Sequence, residues 1–241
     1  MIRFGRRSKT EKELSCAAII VAAGSASRMQ GIDKMMADLA GEPVLLHTLR
    51  TFNSSSRIDE IVVVTRENLM MDVEELCRTH NLDKVHYVIL GGEERTDSVM
   101  AGLDCIADRS GLVAIHDGAR PLVTEQVIGA AIDKAAATGA AAPAIPMKDT
   151  VKVARDGVVE LTPDRSTLVA IQTPQVFDLD LVRGALYQAR QGGVTVTDDC
   201  SAVERLGMKV HLSQGSDENL KITTPMDLIL AEAILERRRK P

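Results

Sequence analysis

Continuous apolar runs alternate with amphipathic stretches along the first half of the chain. Four short runs rich in β-branched residues predict strands at 16–22, 60–65, 85–90 and 112–116. Apolar residues at helical spacing between them predict helices at 43–52, 68–80 and 97–107. Because the strand runs are continuous rather than alternating, the strands should be covered on both faces. The repeated strand–helix–strand order therefore predicts an α/β protein with a doubly wound, mostly parallel, Rossmann-like sheet.

The pattern changes between Met147 and Thr173, where two alternating stretches flank Asp156-Gly157. Asp-Gly between alternating stretches is a strong hairpin signal, so we expect a β-arm at about 147–170 that projects from the sheet. Helical spacing returns at 178–191, at 198–206 and at 224–238. The chain shows no repeat or linker, which favours a single domain over residues 15–241.

Basic residues crowd the first fourteen positions, directly ahead of the apolar run at 16–22. This order imitates a secretion signal, but cleavage there would remove the first predicted strand. We therefore interpret residues 1–14 as a disordered basic extension in front of the domain.

Composition places the chain among ordinary globular proteins and argues against two classes of partner, nucleic acids and membranes. Of the 241 residues, 45% are hydrophobic and 26% are charged, and the formal net charge is −5. An acidic total argues against a nucleic-acid surface, and the apolar runs are too short to cross a bilayer. The four cysteines lie far apart and form no C-x-x-C pair, which favours reduced thiols and a cytoplasmic location.

Three loops rich in glycine or other small residues follow the first, third and fourth predicted strands. Their sequences are AAGSASRMQGIDK, GGEERTDS and HDGARP. Because ligands bind where parallel strands end, these loops should converge at one edge of the sheet. Their cations are Arg28, Lys34, Arg95 and Arg120. The sequence therefore predicts a pocket for an anion at this edge.

The first loop is interpreted as a cradle for nucleotide phosphates. Small residues allow backbone N–H groups to approach a phosphate closely, and Arg28 and Lys34 add positive charge. The loop is neither a Walker A loop nor a G-x-G-x-x-G loop. An ordinary strand-to-helix turn followed by a surface lysine stays open as an alternative.

Asp117 ends the fourth strand, a position where an acid commonly binds a sugar hydroxyl or a metal ion. The alternative is an Asp that only closes a turn or caps the next helix. The neighbouring His116 is predicted to be buried and hydrogen-bonded rather than a ligand. Lys221 is a further candidate because it lies between an apolar strand and a helix. Arg165 on the arm could instead be one of the charges that protect edge strands from aggregation.

Seven motifs follow one another between about Cys16 and Leu235: AAGSASRM, GGEERTDSVMAGL, HDGARPLV, KDTVK, DR with TPQVF, VTDD and NLKITTPMDL. In this order they resemble the 2-C-methyl-D-erythritol 4-phosphate cytidylyltransferase family of non-mevalonate isoprenoid synthesis. The resemblance implies a sheet of the nucleotide-diphospho-sugar transferase type and a homodimer in which each β-arm reaches into the neighbouring subunit. It also implies transfer of CMP from CTP to the sugar-alcohol phosphate, with Mg²⁺ as cofactor.

The resemblance assigns a role to each residue that matches a family motif. Catalysis is expected of Arg28, Lys34, Arg165 and Lys221. Nucleotide binding is expected of Ala22, Ala23, Gly24, Gly92, Arg95, Ser98 and Asp117. Substrate binding is expected of Asp117, Arg120, Thr150, Arg165, Thr173, Thr197 and Lys221. Thr150 and Arg165 would act across the dimer, and Asp117 is the candidate metal ligand on an ion held mostly by CTP phosphates.

The chain departs from the family at the end of the first loop, where Asp33-Lys34-Met35 replaces the usual Pro-Lys-Gln. Three other functions stay open from the sequence: a ribitol-5-phosphate cytidylyltransferase, a sugar nucleotidyltransferase that uses UTP or GTP, and a non-catalytic nucleotide-sensing module. The presence of both Arg28 and Lys34 favours a catalyst over a sensor. Arg165, Thr173, Thr197 and Lys221 favour the erythritol substrate.

Overall fold

The computed structural model describes residues 15–24, 33–107 and 110–239, so the predicted extension at 1–14 lies outside the described residues. Its strands are β1 Cys16–Val21, β2 Asp38–Leu39, β3 Glu42–Pro43, β4 Glu60–Thr65, β5 Val85–Leu90, β6 Leu112–Asp117, β7 Ala140–Pro146, β8 Val153–Arg155, β9 Val158–Leu161, β10 Val169–Ile171, β11 Gln175–Asp178 and β12 His211–Gln214. Its α-helices are α1 Val44–Ser54, α2 Met70–Thr79, α3 Arg95–Cys105, α4 Glu125–Thr138, α5 Leu179–Gln191, α6 Asp199–Arg205 and α7 Pro225–Arg239.

Eight strands form one sheet in the order β10-β7-β11-β6-β1-β4-β5, with β12 also paired to β7. The pairs β1–β4, β1–β6, β4–β5 and β7–β12 are parallel. Strand β11 runs antiparallel between β6 and β7, and β10 runs antiparallel to β7. The predicted mostly parallel α/β sheet is confirmed, and β1, β4, β5, β6 and β7 all end at one edge.

The central strands β1, β4 and β6 are covered on both faces, as their continuous apolar runs predict. The prediction is wrong for the edge strand β5, where Tyr87 and Leu90 are about half exposed. Every residue of β1 is buried, and its side chains alternate between two cores. Ala18 and Ile20 face a core that includes α1 and α4, whereas Ala17 and Ile19 face a core that includes α3 and α5. Helices pack on both sides of the strands and leave the loop-bearing edge open to ligands.

The sequence patterns missed three elements in the middle of the chain. Helix α4 begins at a Thr124 cap, whose side chain accepts a hydrogen bond from the backbone N–H of Val127, and it ends at Gly139 with φ of 86°. Strand β7 follows at once with the sequence AAAPAIP, which has little β-branched character and contains two prolines. Strand β11 was also not predicted, so the antiparallel part of the sheet is visible only in the structure.

The predicted hairpin is present as strands β8 and β9. Asp156 and Gly157 both have positive φ, 49° and 79°, as a type I′ turn requires. The arm is shorter than expected at its end, because Val169–Ile171 returns to the main sheet as β10. The two ends of the arm meet where the N–H of Met147 donates to the carbonyl of Leu168 at 3.2 Å.

Candidate active site

The loop after β1 begins beside β4, at the edge of the sheet where the site lies. The N–H of Ala22 donates to the carbonyl of Val64 at 2.7 Å, so the chain leaves β1 still attached to β4. Residues 25–32, which include the predicted Arg28, lie outside the described residues. Lys34 follows on a turn, and a Cβ placed on Gly24 would lie 3.4 Å from its Nζ. The two described ends of this loop therefore face each other.

The glycine pair after β5 allows a close approach between two loops. A Cβ on Gly91 would lie 2.6 Å from Cβ of Ala23 and 2.7 Å from Oγ of Ser98, so glycine is required there. The N–H of Gly92 donates to Oγ of Ser98 at 3.2 Å. This packing brings the start of α3, and with it Arg95, against the loop from β1.

Asp117 is the centre of a charge cluster at the end of β6. Its Oδ2 lies 2.8 Å from Nζ of Lys221 and 3.7 Å from Nε of Arg120, and its Oδ1 lies 3.8 Å from Nε of Arg95. Burial opposes ionisation of this carboxyl, but Lys221 and Arg95 outweigh it and lower the pKa of Asp117 to about 2. Asp117 is therefore an anion at neutral pH.

Arg95 forms a bidentate ion pair with a buried carboxylate, Asp199, that the sequence patterns did not identify. Its two terminal nitrogens donate to the two oxygens of Asp199 at 2.9 and 2.7 Å. Burial works against the charge, yet the Asp199 carboxylate raises the pKa of Arg95 above its ordinary value. The side chain of Asp199 is 1% exposed. Its position, directly after the Asp198 cap of α6, was the only signal in the sequence.

Thr173 and His116 support Asp117 from inside the protein. Oγ1 of Thr173 accepts from the N–H of Asp117 at 3.1 Å and lies 3.0 Å from Nδ1 of His116. Burial lowers the pKa of His116 to about 3, so the ring is neutral and Nδ1 accepts the threonine hydroxyl proton. The prediction that His116 is a buried, hydrogen-bonded residue is confirmed.

The segment that carries Lys221 is fixed on both sides of the lysine. Before it, Nδ2 of Asn219 donates to the carbonyl of Thr173 at 2.9 Å, and Nη1 of Arg120 donates to the carbonyl of Asn219 at 2.6 Å. After it, the N–H of Ile222 donates to the carbonyl of Ala119 at 2.8 Å. Arg120 thus stabilises the segment before Lys221 through the backbone of Asn219. Asn219 is a second supporting residue, after Asp199, that sequence patterns missed.

These loops enclose a cavity of about 340 Å³. Eight of the predicted site residues line it: Ala23, Gly24, Lys34, Gly92, Arg95, Ser98, Asp117 and Lys221. Ala22 and Thr173 are buried next to the cavity. Glu93 and Glu94 also contribute to the lining. A pocket therefore forms at the predicted edge of the sheet, at the carboxyl ends of β1, β5 and β6, and its role in binding an anion stays a prediction.

Three predicted substrate residues lie on exposed segments that do not line this cavity. Thr150 and Arg165 belong to the arm, and Thr197 precedes α6. Nη1 of Arg165 donates to the carbonyl of Lys148 at 2.7 Å, which holds it at the base of the arm. The assigned roles of these residues stay predictions.

The family model for 2-C-methyl-D-erythritol 4-phosphate cytidylyltransferase (IspD) matches residues 16–237. The chain belongs to this family. A cytidylyltransferase of this name from Dehalococcoides mccartyi is 45% identical over 223 residues, which cover 92% of this chain and 96% of the relative. Another from Caldanaerobacter subterraneus is 43% identical over 231 residues, or 93% of this chain and 100% of the relative.

Solved structures of cytidylyltransferases share the fold. The 4-diphosphocytidyl-2C-methyl-D-erythritol synthase of Anaerococcus prevotii superposes with a TM-score of 0.83 at 33% identity, covering 92% of this chain and 96% of that one. The 2-C-methyl-D-erythritol 4-phosphate cytidylyltransferase of Thermus thermophilus superposes with a TM-score of 0.75 at 29% identity, covering 90% and 98%. The predicted family and fold are confirmed, and the chain is a nucleotidyltransferase.

No helix in the described part of this cytidylyltransferase is long and apolar enough to cross a membrane.

Proposed function

We propose that the chain transfers CMP from CTP to 2-C-methyl-D-erythritol 4-phosphate, giving 4-diphosphocytidyl-2-C-methyl-D-erythritol and pyrophosphate. The observation that carries this proposal is one cavity at the carboxyl edge of the sheet that is lined by Lys34, Arg95, Lys221 and an ionised Asp117. Three cations suit a triphosphate and a second phosphate, and the carboxylate suits hydroxyl groups or a metal ion. The curated relatives carry the name of this activity.

The reaction is an in-line displacement at the α-phosphorus of CTP. A phosphate oxygen of the sugar-alcohol phosphate forms the new P–O bond, and the bond to the bridging oxygen of the β-phosphate breaks as pyrophosphate leaves with the electron pair. The attacking phosphate is already largely a dianion near neutral pH, because its second pKa is about 6. A general base is therefore not needed, and catalysis consists of positioning and charge neutralisation.

The side chains divide this work between the two substrates. Lys34 lies beside Gly24 at the nucleotide loop, where it would neutralise charge on the CTP phosphates together with Arg28. Lys221 emerges from a segment fixed on both sides, next to Asp117, and would hold the attacking phosphate. Gly92, in the loop before α3, and Ser98, near the start of that helix, would contact the nucleotide.

The residues at the cavity fit Mg²⁺ bound mainly by substrate. Within the described residues, no group of three or more His, Cys, Asp or Glu side chains could hold a metal ion. Mg²⁺ usually binds through one or two carboxylates together with substrate phosphates and water, so the ionised Asp117 would suffice. When bound, the ion would neutralise charge on the triphosphate.

Assembly and location complete the proposal. Val158, Val159 and Leu161 on the arm are more than half exposed, which supports a homodimer that covers them and brings Thr150 and Arg165 to the neighbouring site.

All four cysteines are free, and burial raises the pKa of Cys16 to about 12. Unpaired thiols suit a reducing cytoplasm.

Release of pyrophosphate from CTP, Mg²⁺ and 2-C-methyl-D-erythritol 4-phosphate tests the function. We expect turnover with this substrate and little with ribitol 5-phosphate, and we expect CTP to be preferred over UTP and GTP. Turnover with ribitol phosphate alone would assign the chain to that activity instead. Binding of CTP without turnover of either substrate would indicate a nucleotide-sensing module.

A further inference from the structure

Asp33 and Arg66 form an ion pair beside the active-site cavity, between segments that are distant in sequence. About a quarter of each side chain is exposed, 24% for Asp33 and 27% for Arg66. Asp33 immediately precedes Lys34, and Arg66 immediately follows the last residue of β4. The pair therefore connects the segment that carries Lys34 to the end of a central strand.

Arg66 is a rigid point of attachment. The residue before it, Thr65, is fully buried, and its carbonyl accepts from the N–H of Gly91 at 2.8 Å. The carbonyl of Arg66 itself accepts from the N–H of Leu69 at 3.0 Å. The backbone at Arg66 is thus held by hydrogen bonds on both sides.

The other side of Lys34 is held by Met35. Met35 is 2% exposed, and its carbonyl accepts from the N–H of Leu45 at 3.0 Å. Oδ1 of Asp33 accepts from the N–H of Met35 at 2.8 Å and closes the turn around Lys34. One carboxylate therefore closes the turn and, through its other oxygen, joins the turn to β4.

We propose that the Asp33–Arg66 ion pair positions Lys34 for catalysis, an inference that rests on the role of Lys34 in the proposed function. The pair fixes the backbone of the turn so that the lysine side chain lines the cavity beside Gly24. Arg66 also neutralises Asp33, which would otherwise compete with the CTP phosphates for the adjacent lysine. Both effects act through Lys34, so Asp33 and Arg66 are positioning residues.

Two substitutions separate the ion pair from the turn. Arg66→Met removes the ion pair and keeps the hydrogen bond from Met35 to Asp33. Asp33→Asn removes the charge and keeps an oxygen that can accept this hydrogen bond. We expect each to lower kcat for pyrophosphate release by about 10- to 100-fold, the scale of a small misplacement of a catalytic group. Arg66→Lys, which keeps a cation, should recover much of the loss.

A double-variant comparison identifies the residue through which the pair acts. In a Lys34→Ala background, Arg66→Met should cause no further loss of kcat, because its effect is transmitted by the missing lysine. Arg50→Met removes the exposed ion pair of Arg50 with Glu42 and serves as the control, with kcat expected to stay normal. Thermal unfolding of every variant should show that the fold is retained.

Normal turnover of Arg66→Met would overturn the positioning role while the proposed function stands. Equal losses from Arg66→Met with and without Lys34 would overturn it as well, since the pair would then act by another route. Normal turnover of Lys34→Ala would overturn the catalytic assignment of Lys34, and the positioning role with it.

Discussion

Nζ of Lys221 lies 2.8 Å from Oδ2 of Asp117, although the two residues come from distant parts of the chain. The contact joins the end of β6 to the segment before α7, and both side chains line the cavity. An amine already paired with a carboxylate stays in place when the substrates are absent. The site therefore has its cation positioned before the second phosphate arrives.

Replacement of Lys221 should remove the positive charge that holds the phosphate of the sugar-alcohol substrate. We expect Lys221→Met to lower kcat/KM for the sugar-alcohol phosphate by at least ~100-fold, the scale seen when one transition-state donor is lost. Steady-state pyrophosphate release measures the effect, with Lys134→Met on the exposed side of α4 as a matched control. Similar kinetics of the two variants would contradict the role of Lys221.

Arg165 should act on the neighbouring subunit. Arg165→Ala and Lys34→Ala are each expected to be nearly inactive, because each removes a cation from a shared site. Unfolding and refolding the two together should restore activity, since each mixed dimer contains one intact composite site. The control mixes Arg165→Ala with the Arg165→Ala/Lys34→Ala double variant, which leaves no intact site. Equal activity of the two mixtures would exclude a role across the dimer.

Asp199→Asn should destabilise the protein strongly, because it leaves the charge of Arg95 without its bidentate partner. Removing one member of a fully buried ion pair costs about 3–5 kcal/mol of the free energy of unfolding. Because the side chain of Arg95 is 31% exposed and lies near Asp117, we expect a smaller loss, of about 2 kcal/mol. Urea unfolding measures this change. Asp133→Asn breaks the exposed ion pair with Arg57 and should have little effect. A small loss in Asp199→Asn would show that Arg95 finds another partner.

The stability of the protein should fall in mild acid because of His116. Its pKa is about 3 in the native protein, as a result of burial, and 6.5 in the unfolded chain. The unfolded chain therefore binds a proton that the native protein excludes between these values. This contribution is complete above pH 6.5 and is lost progressively as the pH falls towards 3.

Urea unfolding between pH 7 and pH 4 tests this dependence. His116→Gln should show a weaker decrease in the free energy of unfolding with falling pH, whatever its stability at pH 7. His211→Gln on the exposed strand β12 is the control and should keep the original slope. An unchanged slope in His116→Gln would contradict the assignment.

The sequence predicted the central part of the fold because its signals are local. Strands β1, β4, β5 and β6 are continuous apolar runs, and the loops after β1, β5 and β6 contain small residues and cations that line the cavity. Strand β7 carries no such signal, since alanine and proline dominate it. Its place in the sheet depends on pairing with β11 and β12, which lie far along the chain.

The residues that support the site could not be predicted from the sequence, because their contacts also join distant parts of the chain. Asp199 lies 104 positions from Arg95, and nothing near either residue indicates that they meet. Arg120 is predicted to bind substrate, a role that stays a prediction, and nothing in its loop indicates that its side chain donates to the carbonyl of Asn219 and is only 13% exposed. A cation in a loop is visible in a sequence, whereas the direction of its side chain depends on tertiary contacts.

The arm leaves the sheet after Met147 and returns at Leu168, and its two ends are hydrogen-bonded to each other. It is thus an insertion whose length and sequence can change while the order of the strands stays the same. Natural selection can act on such an insertion without disturbing Asp117, Arg95 or Lys221. Descendants of one ancestral enzyme could therefore diverge at the tip of the arm and keep the same chemistry, as long as Thr150 and Arg165 still reach the neighbouring site.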